Sequence, residues 1–265
     1  MTKRYLALLL GVAVLLQAGG LQAGAIDEAV RRGSLKVGTN PTYMPFQMTD
    51  KQGRVVGFEI DLLHEMSKAL GVRLELLPSA YPELIPDLLA GKTDLIASGM
   101  TLTPERNLRL NFSDPFIVVG QTMLITQELS GRVQGFEDLN DAAFRIRVKA
   151  GTTGEIVAKK LIGNAQLVSY ATEEEGVRDV LDGKADAFIH DAPYNLVAAN
   201  RLGAGKLVCL DQPFTYERLA FGLKKGDHDS LNWINHFLNQ IAEDGTYDRI
   251  HDKWFKETAW LAEID

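Results

Sequence analysis

From Leu35 onward, short apolar runs of strand length alternate with stretches of helical period. Leu35 to Gly38 is an apolar strand broken by Thr39-Asn40-Pro41. Phe58, Leu62, Leu63, Met66 and Leu70 share one face of a helix, with Glu59, Asp61, His64, Glu65 and Lys68 on the opposite face. Gly71 sits where the residue after a helix C-terminus belongs. Val72 to Leu77 reads as a strand, and Glu83 to Ala90 as a helix closed by Gly91. Pro86 fits that helix only in its first turn, where its missing N–H is not needed. Alternation of this kind predicts parallel strands joined by crossover helices, an α/β fold.

One segment departs from its own pattern. ADAFIHDAP, residues 185 to 193, begins as a buried strand and ends in His190, Asp191 and Pro193. Its context is an internal echo. DLLAGKTDLIASG (87 to 99) and DVLDGKADAFIHD (179 to 191) share Asp, Leu, Gly, Lys and Asp at an offset of 92. Each is a helix end, a Gly-Lys turn, an aspartate and a strand. A weaker echo pairs the strands leading to Gly38-Thr39-Asn40 and to Gly151-Thr152-Thr153. Two similar α/β lobes are expected.

The echo gives the strand ends a chemistry. Ligands of open α/β sheets bind beyond the carboxyl ends of the strands. If two lobes face each other, Ser98-Gly99 and His190-Asp191 look into one cleft. In Met100 to Arg106 (MTLTPER), Thr103 is placed as an N-cap and Pro104 at the first helical position. A helix N-terminus favours anions, and Arg106 adds a planar fork matched to a carboxylate. One wall thus offers Thr101 and Arg106, the other Asp191: a carboxylate site opposite an ammonium site, the pattern of an α-amino acid. Enzyme signatures fail. Gly91-Lys92-Thr93 lacks the first glycine of a P-loop, since position 86 is proline, and His64-Glu65-Met66-Ser67-Lys68 lacks the second histidine of a zinc-protease helix.

Composition narrows the setting. Lys3 and Arg4 precede an apolar run from Tyr5 to Leu16, and Ala23-Gly24-Ala25 offers small residues to a signal peptidase. A secretory signal over residues 1–25 is expected, with cleavage after Ala25. No cysteine near that point suggests a lipid anchor. Removing Lys3 and Arg4 takes the formal charge from −7 to −9, so an acidic chain without a basic run excludes nucleic acid. The single cysteine, Cys209, cannot form an internal disulfide. No metal or cofactor is implied.

Taken in order, Thr39 to Phe46 (TNPTYMPF), Gly57 to Leu62 (GFEIDL), Ser98 to Arg106 (SGMTLTPER), Asn111 to Phe116 (NFSDPF) and Gly245 to Phe255 (GTYDRIHDKWF) resemble segments of the periplasmic amino-acid-binding proteins of ABC transporters, solute-binding protein family 3. The resemblance runs from about Leu35 to Phe255, with Ser67 departing from the small apolar residue usual at its position.

The resemblance implies the two-lobed type II periplasmic fold, with two strand crossovers as a hinge. Residues 26–119 plus 219–265 would form lobe 1 and residues 120–218 lobe 2. It also implies a periplasmic, monomeric binder of a free amino acid that serves membrane permease subunits. Carried over by position, Arg106, Thr101 and the N–H of Thr153 would hold the α-carboxylate. Asp191 and the Gly99 carbonyl would hold the α-ammonium. Tyr43 and Tyr81 would stand against the side chain, and Trp254-Phe255 would dock the C-terminal helix on lobe 1.

Asn40 stands where binders of cationic amino acids commonly carry aspartate, which argues against lysine, arginine or ornithine. Lys149 and the pair His190-Asp191 are similar to the glutamine-binding members. Glutamine or another polar, uncharged amino acid leads, and glutamate or aspartate follows. The same family includes cyclohexadienyl dehydratases, the enzymatic alternative, for which Glu155 and His190 would be the proton donors. A sensory module is the third class; here nothing follows Asp265.

Overall fold

The computed structural model describes residues 24–203, 205–210 and 212–264, so most of the expected leader lies outside the described residues. The chain enters as the helix Ala25–Arg32, on whose first residue the expected cleavage point falls. Among the described residues no helix is long and apolar enough to cross a membrane.

Two five-stranded sheets form the two lobes. In the first, Arg73–Pro78, Ser34–Thr39 and Leu95–Ile96 lie side by side and parallel, followed by the antiparallel Gly222–Lys224 and by Leu110–Phe112. In the second, Gln166–Tyr170, Arg145–Lys149 and Ala187–Asp191 are parallel, followed by the antiparallel Gln121–Thr126 and by Leu207–Leu210. The antiparallel strand of each sheet arrives directly from the other lobe. The two crossing segments, Ile117–Val119 and Glu217–Leu219, pair with each other antiparallel. The chain therefore has the two-lobed α/β architecture.

The echo at offset 92 has a physical cause. Asp94 Oδ2 accepts the Lys36 N–H at 2.7 Å, and Asp186 Oδ2 accepts the Arg145 N–H at 2.7 Å. Each aspartate returns its own N–H to the carbonyl of the same residue, at 2.8 Å in both lobes. Each carboxylate also meets an arginine, Arg32 in one lobe and Arg145 in the other. The repeated aspartate is thus a clamp that fixes the central strand against its neighbour. Gly91 and Gly183 turn the preceding helix at φ 76° and 70°.

The helix expected over Phe58 to Leu70 has those bounds, and Gly71 follows at φ 68° with its N–H on the Lys68 carbonyl. Phe58, Leu62, Leu63 and Met66 are fully buried; each such side chain contributes about 1.5–3 kcal/mol relative to exposure. Glu59 does not lie on a solvated face as the pattern implied, because the chain around Gly99 covers the start of the helix and leaves it 0 % exposed. Pro86 is the third residue of a short helix, Leu84–Leu89, inside its first turn. The strand expected from Val72 to Leu77 runs Arg73–Pro78. Trp254 is buried and donates to Asp61 Oδ2 at 2.7 Å, while Phe255 packs 5.2 Å from Phe58.

Candidate ligand-binding site

The carboxyl ends of the two sheets face one narrow pocket, whose roughly 300 Å³ of empty space includes open solvent. Tyr43, Tyr81, Ser98, Gly99 and Thr101 line it from the first lobe. Gln121, Lys149, Thr152, Thr153, Glu173, His190 and Asp191 line it from the second. Eight of the ten residues expected from sequence are in this lining. Asn40 and Arg106 stand just behind it, each bonded to groups that form it.

At one end the donors for an anion converge. Thr103 caps the turn Pro104–Asn107 by accepting the Arg106 N–H at 3.2 Å. The Arg106 guanidinium donates to the Thr101 carbonyl at 2.9 Å and reaches across the cleft to the Gly151 carbonyl at 3.1 Å. From the second lobe the helix Thr153–Leu161 directs its N-terminus at the same place, with Thr152 as its cap. The Thr101 and Thr153 hydroxyls come within 3.4 Å of each other. Positive charge, two hydroxyls and a helix N-terminus suit a carboxylate.

At the other end Asp191 closes the buried strand Ala187–Asp191. Its Oδ2 accepts the Tyr43 hydroxyl at 2.5 Å and its Oδ1 accepts Gln121 Nε2 at 2.6 Å. Burial pushes its carboxyl up to about 7, against the opposing pull of the Tyr43 bond. Gly99 has φ 57°, and a Cβ there would meet the Tyr43 ring at 2.5 Å, so only glycine lets the backbone approach so closely. Its N–H is held by Glu59 Oε2 at 2.8 Å. Burial raises the Glu59 carboxyl to about 8, partly offset by that bond and by the Ser98 N–H.

Between these ends lies a charged cluster. Lys149 Nζ donates to Glu173 Oε1 at 2.8 Å within its own lobe, and to Asn40 Oδ1 at 2.7 Å and Thr42 Oγ1 at 2.9 Å across the cleft. Lys149 and Glu173 are 2 % and 0 % exposed. Glu173 Oε2 is buried with no hydrogen-bond partner among the described residues, and so is His190 Nδ1. The His190 ring stacks on Phe188 at 5.7 Å and meets Tyr43 edge-on at 4.9 Å. Burial lowers its pKa to about 4, so the imidazole is neutral at pH 7. Tyr81 presents its ring to both cations, 5.3 Å from Lys149 Nζ and 5.8 Å from the Arg106 guanidinium.

Sequence reasoning missed Gln121, Thr152 and Glu173 as lining residues and Glu59 as a buried support. Glu155, named as a proton donor for the enzymatic alternative, is outside the pocket lining. It accepts the Gly151 N–H at 2.7 Å and bonds to Lys159 and Ser169 on the outer side of its helix.

The bacterial extracellular solute-binding proteins, family 3, match this chain over residues 35–257. The lysine/arginine/ornithine-binding periplasmic protein of Escherichia coli is 30% identical over 244 residues, 89% of this chain and 93% of that protein. The cyclohexadienyl dehydratase of Pseudomonas aeruginosa is 25% identical over 255 residues, 96% of this chain and 95% of the enzyme. Among solved structures, a candidate binding component of an ABC transporter from Wolinella succinogenes, complexed with lysine, superposes with a TM-score of 0.85 at 49% identity. The match spans 87% of this chain and 99% of that one.

Proposed function

This chain belongs to the bacterial extracellular solute-binding proteins of family 3, and from that membership we propose that it captures a polar L-amino acid in the periplasm, with glutamine the leading ligand. The observation that carries the proposal is the placement of opposite charges at the two ends of one pocket. Arg106, Thr101 and the helix N-terminus at Thr153 would take the α-carboxylate. Asp191 and the Gly99 carbonyl would take the α-ammonium, and the Tyr43 and Tyr81 rings would flank the side chain. Binding needs no bond making: the lobes swing about the paired crossings, bury the ligand, and present a closed shape to a membrane permease of the ABC type. A relative named for cationic amino acids and a neighbour complexed with lysine support an amino acid as the class of ligand.

A thermal-shift screen of the secreted chain against the twenty amino acids plus prephenate tests this, because a ligand that binds only the native state raises the melting temperature by mass action. A shift with one or a few amino acids is the expected result. No shift with any of them overturns the reading.

The dehydratase relative favours a second reading, catalysis in the same cleft. Its acid would be Asp191, whose carboxyl holds a proton up to about 7, since His190 is not in its acidic imidazolium form at pH 7 and Glu155 is outside the pocket lining. Turnover of prephenate or arogenate would establish it.

A further inference from the structure

We propose that Lys149 and Glu173 form a built-in charge selector that decides which side chain the pocket accepts; this rests on the amino-acid reading above. The lysine ammonium lies 2.8 Å from Glu173 Oε1 inside the pocket wall. It sits where the tip of a cationic ligand would have to go to reach that carboxylate. The protein therefore supplies its own cation and leaves the part of the pocket between its two ends with no net charge.

Three observations make the pair a selector and not only a structural ion pair. First, both groups are buried, so neither charge can be relieved by water, and loss of one partner strands the other. Second, the pair is not saturated. Glu173 and His190 both line the pocket, and Glu173 Oε2 and His190 Nδ1 are buried with no partner among the described residues. One is an acceptor. The other donates or accepts according to its tautomer, so together they can pair with a neutral group that both gives and takes a hydrogen bond, as a carboxamide does. Third, Lys149 is tied across the cleft to Asn40 and Thr42. A cationic ligand that displaced it would also break two bonds between the lobes.

The selector predicts opposite changes of preference from its two halves. A guest cation in the native site meets an ammonium already seated. A guest carboxylate meets Glu173. A carboxamide meets neither penalty. Replacing Lys149 by Met keeps the aliphatic stem and leaves a lone carboxylate, favouring lysine or arginine. Replacing Glu173 by Gln leaves a lone ammonium, favouring glutamate. Specificity is the difference of two affinities, so the readout is a ratio, which a general loss of affinity does not mimic.

The test is calorimetric titration of wild type, Lys149→Met, Glu173→Gln and the double variant with glutamine, lysine and glutamate. Relative to wild type, the lysine-to-glutamine affinity ratio should rise at least ~10-fold in Lys149→Met. The glutamate-to-glutamine ratio should rise by a similar factor in Glu173→Gln, and the double variant should return towards glutamine. Any variant that still binds one of the three is folded, so a fold defect is not mistaken for a result. An unchanged ranking in both single variants overturns the selector, as does a wild-type protein that binds lysine more tightly than glutamine. A wild type that binds no amino acid fails differently: it removes the amino-acid reading itself, and the selector with it.

Discussion

The Tyr43 hydroxyl and the Asp191 carboxylate, 148 residues apart and on opposite lobes, meet at 2.5 Å. Together with Gln121 on the other oxygen, Tyr43 fixes the plane of a carboxylate that retains lone pairs for a further donor. Removing the hydroxyl alone, in Tyr43→Phe, keeps the ring against Phe46 and His190. A hydrogen bond to a charged group contributes about 1.5–3 kcal/mol. Glutamine affinity measured by calorimetry should therefore fall by roughly 10- to 100-fold, with little change in melting temperature. Undiminished affinity would separate Tyr43 from the ammonium site.

Arg106 is half-buried, and its guanidinium donates to the Thr101 and Gly151 carbonyls and lies beside Tyr81. Arg106→Ala should abolish measurable amino-acid binding, a loss of ~100-fold or more for a charge-assisted pair, while the variant still unfolds cooperatively near the wild-type temperature. Binding within a few-fold of wild type would place the α-carboxylate elsewhere.

Protons should compete with the ligand at Asp191. Its carboxyl is raised to about 7 by burial, and an α-ammonium pairs only with the ionised form. As pH falls below about 7 the proton must be expelled before binding, so affinity should drop by up to tenfold per unit and level off above 7. Titrations between pH 5 and 8 check this, and Asp191→Asn should remove the slope. A pH-independent affinity in the wild type contradicts the assignment.

Glu59 governs stability instead. Its carboxyl stands near 8 in the folded chain against 4.5 as the ordinary value, so the folded state holds the proton more tightly than the unfolded one. The associated stability is complete below about 4.5 and is lost as pH rises to about 8. Glu59→Gln keeps an acceptor for the Gly99 N–H and cannot ionise. Its melting temperature, relative to wild type, should therefore climb between those pH values. A constant difference across the range would show that Glu59 does not titrate there.

The elements that could be read from sequence were those with local causes. The helix Phe58–Leu70 announces itself by apolar spacing and Gly71, and the turn at Pro104 by Thr103. The matched strand ends follow from a repeat whose aspartates do the same work in each lobe. Glu59 and Glu173 were hidden because their burial is tertiary. Glu59 occupies the polar face of an amphipathic helix and is buried only because the chain at Gly99 folds over it. Glu173 opens an acidic first turn, Glu173-Glu174-Glu175, which on its own looks like a complement to the helix dipole. A local signal did exist: Glu175 completes a capping box with Thr172 and Glu174 pairs with Arg178, which leaves Glu173 without a neighbour along its own helix. Lys149, expected among the ligand-binding residues, is in the pocket lining. The structure shows it bonded to Glu173, Asn40 and Thr42, a set that only the meeting of two lobes creates.

The repeat has a last consequence, for orientation. Leu95 and Ile96 stand to the strand Ser34–Thr39 as Ala187 and Phe188 stand to Arg145–Lys149. Counting on by the same offset of 92, Gly99 is the counterpart of Asp191. The two acceptors proposed for a single ammonium group therefore hold the same place in the two copies of the repeat. Were the two positions identical, a small zwitterion could enter facing either wall. Glycine on one copy and aspartate on the other break that equivalence, and the guest acquires a front and a back.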